Sequence, residues 1–215
     1  MRRIELRTPP PPPERAPGAR EHGGFYLRFG AGFGVYEERT ESEESDVYGG
    51  EVSGRSVGLA SVGEFAMGGT VGRGLVLGGG IYTARLLSGH FTLDESSPAG
   101  LPRELDPELR ELVVVGPFMD WYPNPRRGFH LQAALGFASL TDGGSNFDDD
   151  DEDYQAFGGG LVLGVGYEWW IGNEWSLGAL ARVQGAAVTG KDDADVRWFH
   201  GVSTNPALLL TLTYH

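Results

Sequence analysis

Arg28, Glu64, Asp120, His130 and Glu168 are scattered along a 215-residue chain, yet they recur at equivalent places in its repeating pattern. Carboxylates brought beside a guanidinium and an imidazole can form a salt-bridge plug, or they can line a gated water path. Arg182 and Gln184 extend the same polar set. A second run able to do chemistry is "NFDDDDEDYQ", residues 146–155, in which Asp148, Asp149, Asp150, Asp151, Glu152 and Asp153 are six consecutive acids. Calcium is a hard cation that prefers oxygen ligands, so a weak calcium site is conceivable there. An EF-hand needs spaced ligands and a central glycine, and this run has neither. A solvated acidic loop is the simpler expectation.

Signatures of an enzyme are lacking. The glycines of "GAGFGV" do not make G-x-G-x-x-G, and neither a P-loop nor a G-x-S-x-G elbow occurs. His90 and His200 fall in expected loops. No enzymatic activity and no cofactor are expected.

The elements that position the lumen set follow from a period of two. In "GFYLRFGAGFGVY", residues 24–36, Phe25, Leu27, Phe29, Ala31, Phe33 and Val35 share one face, opposite Tyr26, Arg28, Gly30, Gly32, Gly34 and Tyr36. Alternation of this kind is a strand with two unlike surroundings. The theme recurs, predicting eight strands over about 24–36, 54–67, 73–86, 111–122, 128–140, 156–170, 174–188 and 206–215. Pro117, inside the fourth, predicts a bulge or an unpaired position. The intervening breaks alternate between long (37–53, 87–110, 141–155, 189–205) and short (68–72, 123–127, 171–173). The chain is therefore expected to be all-β, an eight-stranded antiparallel up-and-down barrel with long loops at one end and tight turns at the other.

Three observations say which face looks outward. The face opposite the large apolar residues is mostly Gly and Ala, a poor soluble surface but a good lining for a narrow, strongly curved barrel. The clean strands carry no charge on the large apolar face, whereas 37–53 holds seven acids and one arginine and 141–155 holds seven acids and no base. Trp121, Tyr122, Trp169, Trp170 and Trp175 all fall beside the short turns, the level of an interfacial aromatic girdle. Phe25, Phe65, Phe129 and Tyr214 fall at the same end, and Tyr36, Tyr82, Phe137 and Phe157 near the long loops. A transmembrane barrel is the expectation. A soluble lipocalin-like ligand-binding barrel, with inside and outside reversed, is the alternative.

Composition narrows the partners. Formal charge is −13, which argues against nucleic acid, whose phosphates demand a basic surface. The absence of cysteine excludes disulfides and thiolate zinc sites. No apolar run reaches the roughly 18 residues of a membrane helix. Thirty-five glycines far exceed the usual share of about 7%. Residues 1–23, with Pro9 to Pro13 consecutive, read as an extended disordered tail ahead of a barrel domain over 24–215. Residues 1–24 lack the roughly 7–15-residue apolar core of a secretory signal, so an export signal is expected to have lain outside the given stretch.

With this pattern on the page, the chain resembles the small eight-stranded OmpA/OmpX-like outer-membrane barrels of Gram-negative bacteria over about residues 24–215. The segment "GPFMDWYPNPRRGFHLQAALGFASL" is similar to uncharacterised single-domain members of that class. The resemblance implies the outer membrane as location, with lipid and lipopolysaccharide as surroundings, but no assigned activity. Divalent ions bridging acidic loops to lipopolysaccharide would be its natural partners. Such barrels usually end in an aromatic residue; here Tyr214 is followed by His215. Small lipid A deacylase barrels use a His-x-Ser pair, and His130 is followed two residues later by Gln132 instead. A structural or interaction barrel is the first expectation, and a small-solute channel the second.

Overall fold

A computed structural model describes residues 20–45, 50–93, 104–105, 109–143, 154–191 and 198–215. The strands are β1 Phe25–Ser45, β2 Gly50–Gly72, β3 Leu75–Leu93, β4 Glu104–Leu105, β5 Leu109–Trp121, β6 Phe129–Gly143, β7 Tyr154–Trp170, β8 Trp175–Lys191 and β9 Trp198–Tyr214. All pairings are antiparallel, in the order β2-β1-β9-β8-β7-β6-β5-β3, and a β2–β3 ladder closes the ring. Eight strands thus make the barrel, and two-residue β4 is appended to β3 at Phe91 and Thr92.

The ladders fix the barrel's shape. Starting at Phe29 and stepping through Phe65, Ile81, Val115, Phe137, Gly159, Ala187 and Val202, the path returns to β1 at Arg39, ten residues further along. Such an offset tilts the strands against the barrel axis by about 35–45°. Every residue on this path faces outward, so the alternation stays in phase around the whole ring. The large apolar residues lie on the exterior: Leu208 is 72% exposed and Leu163 50%. The reversed, lipocalin-like arrangement is not the one found. A belt of exposed Phe, Leu and Val needs lipid, and a closed ring leaves no unpaired backbone edge inside it.

Several strands run beyond their expected ends. Residues 37–45, expected as loop, continue β1, and β9 begins at Trp198 rather than 206. The alternation persists there in polar form, with Glu38 buried and Arg39 exposed, which suits a strand that has left the apolar belt. The turn expected at 68–72 lies instead at Arg73–Gly74, where Gly74 adopts φ +69°, a conformation open to glycine. Gly68 and Gly69 stay extended and pair with Gly78 and Leu77. Pro117 is unpaired on its β6 side rather than forming a bulge: it lies opposite Gly79 of β3, while the β5–β6 ladder breaks between Val115 and Phe118 without changing register. Pro206 does the same between β9 and β1.

Candidate functional site

Alternation turns Arg28, Glu64, Asp120, His130, Gln132, Glu168, Arg182 and Gln184 into the lumen, and all are buried. The structure sorts them into two groups. In the first, Arg28 Nε lies 2.6 Å from Glu64 Oε1 and Nη1 lies 2.6 Å from Asp120 Oδ2, with all three side chains fully buried. Tyr26 donates its hydroxyl to Asp120 Oδ2 at 2.6 Å. Arg182 Nη1 lies 3.3 Å from Glu64 Oε2 and also donates to the Gly63 carbonyl at 3.0 Å. Its Nη2 donates to the Thr83 carbonyl at 3.1 Å and to Gln184 Oε1 at 3.2 Å. Two cations thus meet two anions across the lumen, tying β1, β2, β5 and β8 together. Buried charges are tolerated in this form because each is paired and further hydrogen-bonded.

His130 joins this group as an acceptor. Its Nε2 lies 3.3 Å from Arg28 Nη1, and its Nδ1 lies 3.2 Å from the Gly128 carbonyl. A guanidinium can only donate and a carbonyl can only accept. The proton therefore sits on Nδ1. Glycine makes the space: a Cβ on Gly166 would run into the His130 ring, and one on Gly30 would lie 2.7 Å from Glu64 Cγ. Gly166→Val is expected to lower stability by about 1–3 kcal/mol through overpacking. Gly159→Val is the control, because nothing lies within 4 Å of that position and it faces outward on the same strand. Equal urea midpoints for the two variants would show that His130 does not need the gap.

Glu168 belongs to a separate group at the turn end. Its Oε1 accepts from Thr213 Oγ1 at 2.8 Å and from the Tyr122 hydroxyl at 3.1 Å. Its Oε2 accepts from Ser176 Oγ at 2.6 Å and lies 3.0 Å from His215 Nε2. Over this carboxylate folds His22, 1% exposed, its ring stacked on Tyr122 at 3.8 Å between centroids. The His22 N–H donates to the Pro125 carbonyl, and the Arg20 N–H to that of Asn173, each at 2.8 Å. Burial, and then the neighbouring His215, push the His22 imidazole down to about 3, so it is neutral at neutral pH.

Three expectations are corrected here. Residues 20–23, expected in the tail, pack against the barrel's turns; residues 1–19 lie outside the described residues. Tyr122, expected in the outer girdle, is fully buried and points inward to Glu168. Trp170 turns onto the imidazoles of His22 and His215, at 4.7 and 5.1 Å, because it keeps the inward parity of Glu168 and pairs with inward-facing Ser176. Trp121, Trp169 and Trp175 are exposed on the outer face. At the loop end, Tyr36 and Tyr82 face inward while Phe137 and Phe157 stack outside. The acids 148–153 lie outside the described residues.

Sequence reasoning left several participants unassigned. Ser176 and Thr213 share the inward parity of Gly178 and Thr211, and His215 continues it, so a signal was present. Glu38 accepts from Arg110 Nη1 at 2.8 Å and from Tyr36 at 2.7 Å, an ion pair inside a segment expected as loop. His22 precedes the first strand and carries no periodic signal.

An eight-stranded ring with an apolar exterior and a polar, charged lumen is decisive for the architecture. The fold is that of a transmembrane outer-membrane β-barrel. Among solved structures the chain is similar to the outer membrane protein OprG from Pseudomonas aeruginosa, with TM-score 0.52, 10% identity, and coverage of 91% of this chain and 98% of that one. Weaker likenesses are to Ail of Yersinia pestis (TM-score 0.37, 12% identity, 87% and 99% covered) and to the outer membrane protease OmpT from Escherichia coli (0.38, 8%, 91% and 99%). No protein-family model and no curated protein matches the sequence.

Proposed function

We propose that this chain is a structural and interaction barrel of the bacterial outer membrane, its lumen shut by an ionic plug and its acidic segments displayed outward. The observation that carries this reading is the Arg28 fork, 2.6 Å from both Glu64 and Asp120 and wholly buried. Eight strands enclose a lumen just wide enough for side chains to fill, and these do so with strong pairs. Trp121, Trp169 and Trp175 serve as the membrane-interface girdle at the turn end. The acids of the loop end, including the 148–153 run, bind divalent cations that bridge to lipopolysaccharide.

A non-enzymatic role is supported by the one Ser-His-Glu grouping in the described residues. Ser176 Oγ and Glu168 Oε2 both approach the same nitrogen of His215, at 3.2 and 3.0 Å. A catalytic triad needs the nucleophile on one imidazole nitrogen and the acid on the other. Ser176 is moreover fully buried.

Planar-bilayer recording tests the reading. The wild-type barrel is expected to give no stepwise conductance. Reproducible steps that respond to Arg182→Ala would replace the closed plug with a small-solute channel through the lumen.

A further inference from the structure

We propose that His22, Glu168 and His215 form a binding site for a divalent transition cation of the zinc class, which locks the segment before β1 onto the barrel's turn end. His22 Nδ1 lies 3.0 Å from His215 Nε2, His215 Nε2 lies 3.0 Å from Glu168 Oε2, and His22 Nδ1 lies 3.9 Å from the same oxygen. A tetrahedral metal with ligands at about 2.0–2.1 Å spaces them about 3.3 Å apart, and the observed triangle brackets that value. Two imidazoles and a carboxylate are the ligand chemistry such a cation prefers over calcium or magnesium.

The surroundings are arranged as a metal site's supporting shell. Thr213 and Tyr122 hold Glu168 Oε1, leaving Oε2 aimed at the two imidazoles. Ser176 Oγ stands 2.6 Å from Oε2 and 3.2 Å from His215 Nε2, fixing the carboxylate's orientation. The His22 ring is held between Tyr122 at 3.8 Å and Trp170 at 4.7 Å. A surface cleft lined by Glu21, His22, Thr70, Arg73 and Pro125 gives ions a way in. The three ligands come from before β1, from β7 and from just after β9, so one cation would join both ends of the barrel sequence to its wall. This site is independent of whether the lumen conducts.

The test uses the full chain refolded in detergent, stripped with EDTA and titrated with cobalt(II), whose visible absorption reports tetrahedral coordination, followed by displacement with zinc(II). One equivalent per chain is expected, together with a higher urea midpoint in its presence. His22→Ala and His215→Ala should each weaken cobalt binding by at least about 100-fold, more than the roughly 10–100-fold lost with an outer-shell partner. Ser176→Ala should fall in that smaller range, and His90→Ala and His200→Ala should bind as wild type. His22 precedes the strands, so its variant is expected to keep the heat-modifiable gel shift of a folded barrel even if His215→Ala does not. Absence of the cobalt band in wild type overturns the proposal in favour of a proton shared between His215 and Glu168. A band that survives both His22→Ala and His215→Ala overturns it as surface binding elsewhere.

Discussion

Arg28→Ala is expected to cost the barrel about 3–5 kcal/mol, because it strands two buried carboxylates without their cation. Glu64 and Asp120 each approach the guanidinium at 2.6 Å, with no solvent exposure on any of the three side chains. Arg182 offers only partial relief: it reaches Glu64 at 3.3 Å, and its other hydrogen bonds go to Gly63, Thr83 and Gln184. Arg28→Lys should be intermediate, since a point charge cannot serve as the fork that meets two acids from two nitrogens. The double change Arg28→Leu with Asp120→Asn should recover part of the loss by removing one unpaired charge. Urea unfolding followed by tryptophan fluorescence reads all three variants. An unmoved midpoint for Arg28→Ala would remove the claim that the plug holds the barrel's shape.

Leu163→Arg should cost about 2–4 kcal/mol, the penalty for arginine on the lipid face near mid-depth of a membrane barrel. Leu163 stands in the middle of β7, half exposed, with Leu161 and Val165 on the same face. An arginine there finds no acidic side chain among the outward-facing residues of β7. The variant is expected to lose most of its heat-modifiable band in the membrane fraction. Normal assembly would mean that this belt is not covered by lipid, and the soluble ligand-binding arrangement would then have to be reconsidered.

Alternation made much of this molecule legible. Period two places each side chain on one of two faces by a local rule, so the lumen set from Arg28 to Gln184 could be written down from parity alone. Glycine on the inner face signalled tight curvature, and the structure shows what fills the gaps: Glu64 over Gly30 and His130 over Gly166. The rule blurred where polarity changed but parity did not. Glu38 continues β1 inward to meet Arg110, although its acidic neighbours read as loop.

By itself, then, the sequence determined the strand count of the closed ring, the face most strands turn to lipid, and the lumen set from Arg28 to Gln184, though not Glu38. These are consequences of neighbours one and two residues apart. Only the tertiary structure decided which lumen residues meet. The ten-residue offset around the ring sets their relative heights, placing Arg28 with Glu64 and Asp120 while leaving Glu168 to Thr213, Tyr122 and His215. Only the tertiary structure could bring in His22, because a residue outside the strands obeys no periodicity and is positioned by long-range contacts with the turns at Pro125 and Asn173.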